Sequence, residues 1–438
     1  MTTVDEIHVV HLSHTDVGYT HDQPTLWDLH CRFLERAIDL AEEDLAIDGP
    51  AAFRWTVEAT APLLHWLESA PPERIKALQR AESAGRIEIT GMLANATPLY
   101  GPAETVESLR PVEILRDRYG FDVRYAVNFD VNGQNWPLVD ALLDAGIEGF
   151  WMGINNHFGA AATDRPSLFR WEGPSGRTIP TLDGYHYSAG WNLGIERDLE
   201  TFQTRWEAVA DRLDAVGYDL PTLPIPAYHP FGDNGPPFDR YGAFVEAWND
   251  RPAVREGRSP RLKLSTPSLW WESVDDALGD APIRRGDWTD YWNFGCLSSA
   301  RETGINRESR RRLLTADAME AVLGALGNGR NERPRYRRVG AGTRERAWRN
   351  LAYYDEHTWG ADTAISDPQS EDTRTQWNHK AQYAHSARND SNALRRDAVA
   401  EVARYVLDAD GAETAAERDR EAECTPDREV ASEEVADE

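Results

Sequence analysis

Four short stretches of this chain combine metal-ligating or proton-moving side chains with backbone that has to turn. The first is Ile7-His-Val-Val-His-Leu-Ser-His14-Thr-Asp16-Val-Gly-Tyr19, where an apolar run leads directly into a His-x-Asp pair. At the two-residue period of extended backbone, His14 and Asp16 project to the same side. The second is Asn128-Phe-Asp130-Val-Asn132-Gly133, a strand-like run that stops at a carboxylate and a glycine turn. The third, Tyr228-His-Pro-Phe-Gly232-Asp233-Asn234-Gly235, is a stiff loop able to hold a carboxylate over a cleft. The fourth, Tyr353-Tyr-Asp355-Glu356-His357-Thr-Trp359-Gly360, surrounds one histidine with acids and aromatics. Singly, each has an ordinary explanation: His14 and Asp16 as solvated loop residues, Asp130 as a cap or turn carboxylate, Asp233 as a turn residue, His357 as a buried structural imidazole. Together, His14, Asp16, Asp130 and His357 form a mixed nitrogen and oxygen ligand set without a thiolate, which suits Zn2+.

The elements that must position them alternate. Residues 7–12, 53–57, 86–90, 123–129 and 147–152 read as strands, and 25–43, 103–119 and 136–145 as helices. Helix 25–43 carries an apolar stripe of Leu26, Leu29, Phe33, Ala37 and Leu40. A further helix opens at Pro72 and ends at Gly85, while Gly120 and Gly146 stop two others. This alternation over residues 5 to 285 is the βαβ pattern of a parallel sheet, either an open doubly wound sheet or a closed barrel. In such folds the carboxyl ends of the strands carry the chemistry, and His14, Asp16 and Asp130 all sit at strand ends. From about residue 298 the strands cease, and 308–326 and 392–407 read as helices, so a helical second domain over 286–407 is expected. Beyond 408 the text is Ala, Glu, Asp and Arg with little to bury, which predicts a disordered acidic tail over 408–438.

The chain has 438 residues and a net charge of −27, with lysine only at Lys76, Lys263 and Lys380. Such a surface repels nucleic acid and anionic membranes. Cys31, Cys296 and Cys424 are odd in number and lack CxxC spacing, so neither a disulfide framework nor a thiolate zinc site is supported. No basic leader and no run of about 18 apolar residues is present, so the chain reads as soluble and cytoplasmic. With 16 Trp and 15 Tyr it can build a large core and also line a sugar cleft. Trp191, Trp288, Tyr291 and Trp292 suit either role, and Asp290 is equally open.

These motifs resemble the glycoside hydrolase family 38 α-mannosidases. The His14-Thr-Asp16-Val-Gly-Tyr19 segment is similar to that family's amino-terminal motif. Phe53-Arg-Trp-Thr-Val-Glu58 and Gly85-Arg-Ile-Glu-Ile-Thr-Gly91 are similar to its next block, Asn128-Phe-Asp130 to its nucleophile segment, and Asp355-Glu356-His357 to its late metal-ligand segment. The resemblance covers about residues 5–365. It implies a seven-stranded β/α barrel followed by a helical bundle, with one zinc per chain held by His14, Asp16, Asp130 and His357. It further implies retaining hydrolysis of an α-mannoside, with Asp130 as nucleophile and Asp233 as acid/base. Tyr19, Asn132, Asn234 and Glu356 are the expected substrate contacts.

The chain departs from the family pattern in places. Val131-Asn132-Gly133 stands where the family usually has Pro-Phe-Gly, Tyr19 where it has Trp, and Asn234 where many members carry a second Asp. The family's large carboxyl-terminal β-domains are not in this sequence, so one wall of the usual cleft is expected to come from elsewhere, a homo-oligomer partner being one source. Two other readings stay open on the same fold: a metal-dependent carbohydrate deacetylase and a non-catalytic carbohydrate-binding protein.

The acidic, lysine-poor surface predicts a protein adapted to concentrated salt, where self-repulsion is screened over about 3 Å at 1 M. Melting curves should therefore rise from low to multimolar KCl, and equal stability in both would rule the adaptation out.

Overall fold

The computed structural model describes residues 3–131, 133–155, 163–230, 232–288, 292–325, 339–340 and 342–423. They contain ten strands: β1 (Glu6–His11), β2 (Trp55–Val57), β3 (Ile87–Ile89), β4 (Tyr125–Asp130), β5 (Gly149–Ile154), β6 (Ser167–Glu172), β7 (Thr178–Gly184), β8 (Thr222–Ala227), β9 (Arg261–Ser265) and β10 (Ile283–Arg285). All the strands expected from the sequence form. The hairpin of β6 and β7, as well as β8, β9 and β10, adds to them.

Hydrogen bonding joins the strands into three sheets, ordered β8-β1-β9, β2-β3 and β10-β6-β7-β5-β4. Every pairing is parallel except β6 with β7. The sheets meet end to end: Leu12 bridges Thr56 beyond β1, and Gly91 N donates to Tyr125 O between β3 and β4. One closed ring of seven strands, as expected from the sequence, is not traced by these bonds. The physical reason is β9, which occupies the flank of β1 from Glu6 to Val10 and leaves β2 to meet β1 only at its end. The molecule is a mixed α/β fold dominated by parallel strands.

The strands are hydrophobic because helices cover them, as parallel sheets require. One core packs β2, β3 and their helices around Trp55, Ile87, Ile89, Leu78 and Phe150. The other packs β1, β8 and β9 around Ile7, Val9, Leu223, Ile225, Trp248 and Trp270. Helix Gln23–Glu43 buries Leu26, Phe33, Ala37 and Leu40 of its expected stripe and leaves Leu29 half-buried. Trp288 packs in the first core beside Phe169 and Trp171, with ring centroids 5.3 and 6.0 Å away.

The chain divides into two compact units, Met1–Arg310 with Arg346–Arg388, and Arg311–Glu345 with Asn389–Glu438. In the smaller unit Arg344 pairs with Asp317 at 2.8 Å and with Glu320 at 2.7 Å. Helix Glu371–Glu423 continues into the segment expected to be a disordered tail, so 408–423 are helical, and 424–438 lie outside the described residues. Ala, Glu and Arg are good helix formers, which is why an acidic stretch with nothing to bury still takes that conformation. Among the described residues no helix is long and apolar enough to cross a membrane.

Glu88 on β3 shows how the strand layer holds the helices. Its carboxylate accepts the Ser268 backbone N–H at 2.9 Å, capping helix Pro267–Ser273. Burial pushes its pKa up to about 7, although hydrogen bonds from Thr266 and Ser268 pull the other way. The folded state therefore binds this proton more tightly than the unfolded chain. Its contribution is complete below the ordinary carboxylate range and is lost as pH rises through about 7. We expect Glu88→Gln to remove a pH-dependent increment on the order of 3 kcal/mol between roughly pH 4.5 and 7.5. Urea denaturation of both proteins across that window would reveal it as a difference in slope.

Candidate active site and metal centre

The carboxyl ends of the parallel strands each deliver polar residues to one place. His14 and Asp16 follow β1, Glu58 follows β2, Asn95 follows β3, and Asp130 ends β4. Asn155 follows β5, His186 and Tyr187 follow β7, and Asp233 follows β8. Asp130 closes its strand with φ +70°, a left-handed conformation that Asp tolerates better than most residues. Among the described residues Tyr19 is the other non-glycine residue with positive φ, at +71°. His357 arrives from the far end of the same unit, in the segment after helix Gly342–Asp355.

His14, Asp130 and His357 offer ligand atoms that all lie within 4.8 Å of one another. His14 Nε2 is 3.3 Å from His357 Nε2 and 4.0 Å from Asp130 Oδ2. Asp130 Oδ2 is 3.3 Å from His357 Nε2. Asp16 completes the group, its Oδ1 lying 3.4 Å from His14 Nε2 and 3.1 Å from His357 Nε2. Tetrahedral zinc with bonds of about 2.0–2.1 Å separates its ligands by about 3.3 Å, so most of these spacings match one ion at the centre.

The outer atoms of each ligand are fixed. His14 Nδ1 donates to Glu58 Oε1 at 2.9 Å and His357 Nδ1 to Glu356 Oε2 at 3.1 Å, which turns both Nε2 lone pairs inward. Glu356 is itself held through Oε1 by the buried Lys380 ammonium and by Thr358. Asp16 Oδ2 accepts Asn234 Nδ2 at 2.6 Å, and His30 Nε2 donates to Asn234 Oδ1 at 3.2 Å. Asp130 Oδ1 accepts Asn155 Nδ2 at 2.6 Å and His186 Nε2 at 2.8 Å. The Ser188 N–H donates to His186 Nδ1 at 3.3 Å, so the His186 proton belongs on Nε2.

The electrostatics match this geometry. Burial opposes a charge on His14, but Glu58 and Asp16 outweigh it and hold its pKa well above the usual imidazole range. His357 is raised in the same way, against burial, by Asp130, Asp16 and Glu356. Burial would raise Asp16 and Asp130, yet the histidines hold both carboxyls well below their usual range. This is a buried anionic nest that demands positive charge. A divalent ion would supply that charge by displacing the histidine protons, so the residues fit a first-row metal. Asp233 differs: burial and the nearby Asp16 raise its pKa.

Asp233 is tied to the cluster by backbone and by one aromatic. Its carbonyl accepts the His14 N–H at 2.9 Å, and its Oδ2 accepts Tyr187 OH at 3.2 Å. The Tyr187 ring in turn stacks on His14, with centroids 3.9 Å apart and planes at 10°. Tyr19 is 40% exposed. Burial raises its pKa first, followed by the charges of Asp16 and Asp130.

The substrate contacts expected from the sequence divide. Tyr19 stands where a ligand can meet it. Asn234 and Glu356 are buried, and their polar atoms are spent on Asp16, His30, His357, Lys380 and Thr358, so the geometry makes both of them supports for ligands. Asn132 lies outside the described residues, as do Tyr291 and Asp290. Trp191 is 37% exposed, with the Arg197 guanidinium 5.3 Å from its ring centre. Trp292 Nε1 donates to His357 O at 2.6 Å. Glu58, Asn95, Asn155, His186 and Tyr187 were not anticipated as site residues. The only signal for them was position, each lying just past a strand-like run.

The family description "Glycosyl hydrolases family 38 N-terminal domain" matches residues 5–292. No curated protein matches the chain. Among solved structures it is similar to an alpha-mannosidase from Enterococcus faecalis V583, with a TM-score of 0.66 and 15% identity over 91% of this chain and 43% of that one. It is also similar to a glycosyl hydrolase family 38 protein from Enterococcus faecalis, with a TM-score of 0.59 and 16% identity over 92% and 40% of the two chains. The chain thus spans less than half the length of either structure.

If one ion joins both ends of this unit, His14→Ala and His357→Ala should each abolish stoichiometric divalent metal in the purified protein, although 343 positions separate them. Mass spectrometry of the wild type and the two variants checks this. Metal retained by either variant would break the site apart.

Proposed function

The chain belongs to glycosyl hydrolase family 38, and from that premise we propose that it is a zinc-dependent, retaining α-mannosidase-like hydrolase. The observation that carries this reading is the buried convergence of His14, Asp16, Asp130 and His357 on the strand ends, beside a second carboxyl, Asp233, whose pKa is raised. Two carboxyls with opposite pKa shifts in one cleft are what acid/base and nucleophile roles require.

His14, Asp16, Asp130 and His357 hold the zinc in this reading. When bound, the ion supplies Lewis acidity and a template for neighbouring sugar hydroxyls. Asp130 is the nucleophile, kept ionised by its histidine neighbours and aimed by Asn155 and His186. Its carboxylate forms a bond to the anomeric carbon as the glycosidic C–O bond breaks. Asp233 gives its proton to the departing oxygen, then takes one from the water that releases the sugar from Asp130. Tyr187 orients Asp233, and Tyr19 meets the sugar at the mouth.

The fold assignment extends the same reading. β1, β2, β3, β4, β5, β7 and β8 are the seven parallel strands of a distorted β/α barrel, with β9 wedged beside β1. A catalytic part to residue 285 and a helical part over 286–407 lending His357 follow from it. Cys31 and Cys296 form no disulfide among the described residues, which suits a reducing cytoplasm. An α-mannoside substrate and a homo-oligomeric partner that completes the cleft wall belong to the same reading.

A fluorinated mannosyl donor should trap a covalent adduct on Asp130, EDTA should inhibit, and Asp130→Ala should lower turnover of an aryl α-mannoside by at least about 10^3-fold while the chain still folds. Turnover that is chelator-sensitive but forms no adduct would point to metal-assisted deacetylation. Mannoside binding without turnover would leave a carbohydrate-binding protein.

A further inference from the structure

All three segments that carry the four ligating residues meet at one residue that is not itself a ligand. Asn95, only 1% exposed, lies in the segment that follows β3. Its Nδ2 donates to Thr15 O at 3.1 Å, between His14 and Asp16. Its Oδ1 accepts the Phe129 N–H at 2.8 Å, one residue before Asp130. Its backbone carbonyl accepts the His357 N–H at 3.1 Å. The segments it joins are otherwise far apart in the chain.

The chemistry of the carboxamide makes this a specific device. A donor and an acceptor stand on one rigid plane, one facing a C=O and the other an N–H. Turned over, the amide would set oxygen against oxygen and N–H against N–H, so the orientation is forced. Asp would keep the Phe129 bond but present a lone pair to Thr15 O. Asn128 repeats the arrangement in reverse, its Oδ1 accepting Ala96 N at 2.7 Å and its Nδ2 donating to Ala96 O at 3.2 Å. On the other side Ala96 forms an antiparallel bridge with Glu356, and Thr97 Oγ1 donates to Asp355 O at 2.6 Å. The Asn95–Thr97 segment is thus clamped between β4 and the His357 segment.

We propose that Asn95 is the positioning residue of the metal centre, setting the distances among His14, Asp16, Asp130 and His357 through backbone contacts alone. This rests on the metal reading above. It differs from a general packing role, because the backbone it fixes belongs to the ligands.

The test uses the full chain as Asn95→Asp and Asn95→Ser, with Asn249→Asp as control. Asn249 bridges Leu262 with the same donor and acceptor pair, at 2.8 and 2.9 Å, away from the cluster. Zn2+ affinity by competition, the Co2+ absorption spectrum and the melting temperature are measured for each. Both Asn95 variants should lose about 10- to 100-fold in affinity and shift the Co2+ bands. Asn249→Asp should lower the melting temperature with affinity and bands unchanged. Wild-type affinity and bands in the Asn95 variants, or an equal loss in Asn249→Asp, would overturn the proposal while leaving the metal reading intact. A wild type that binds neither ion would overturn both. If Asn95→Asp does not fold, the smaller Asn95→Ser decides on the same criteria.

Discussion

Everything at the strand ends answers to one constraint: Asp16 and Asp130 are buried, at 2% and 6% exposure, beside His14 and His357. Two carboxylates in that setting repel and are poorly solvated, so they persist only with positive charge between them. His14 and His357 provide it as imidazolium, or a divalent ion provides it in their place. Glu58 and Glu356 then add negative charge behind the histidines, which strengthens the demand for a cation in front. Lys380, 3% exposed, offsets Glu356 from the far side. Alternating charge in layers lets a protein bury this many ionisable groups in a small volume.

The parallel strands make the layering possible. Each contributes its last residue or the few that follow, so groups from seven parts of the chain meet without any loop having to be long. The same geometry explains why Asn155, His186 and Tyr187 reach Asp130 or His14 from strands far away in sequence. The half-buried Arg310 plays a related part, bonding Asp355, Glu104 and the Leu99 carbonyl, so the helix that precedes His357 is anchored to the segment following β3.

Much of this was legible in the sequence, and the limits have physical causes. His14, Asp16, Asp130 and His357 could be picked out because ligand types at strand ends are uncommon in combination. β1 to β5 were legible from apolar runs bounded by glycine and proline. Asn95 and Asn155 could not be found, because asparagine is common in turns and its role depends on which backbone groups lie opposite. Glu356 and Asn234 meet a related limit: adjacency to a ligand or an acid in sequence does not say whether a side chain faces the cleft or the layer behind it. β9 was not anticipated, and its place beside β1 decides how the strand layer closes.

The return of His357 to His14 has a consequence for the order in which the molecule comes into being. A ribosome adding about 5–20 residues per second needs on the order of tens of seconds to travel from one histidine to the other. During that interval the strands of the larger unit can pair, but its anionic nest lacks its last nitrogen, and the partner for the Asn95 carbonyl has not emerged. Closing so large a loop is slow and entropically costly, and it is repaid only when both are in place. An ion held by all four residues would therefore be captured late in biogenesis, and would then act as a latch that favours the finished topology over every partly assembled one.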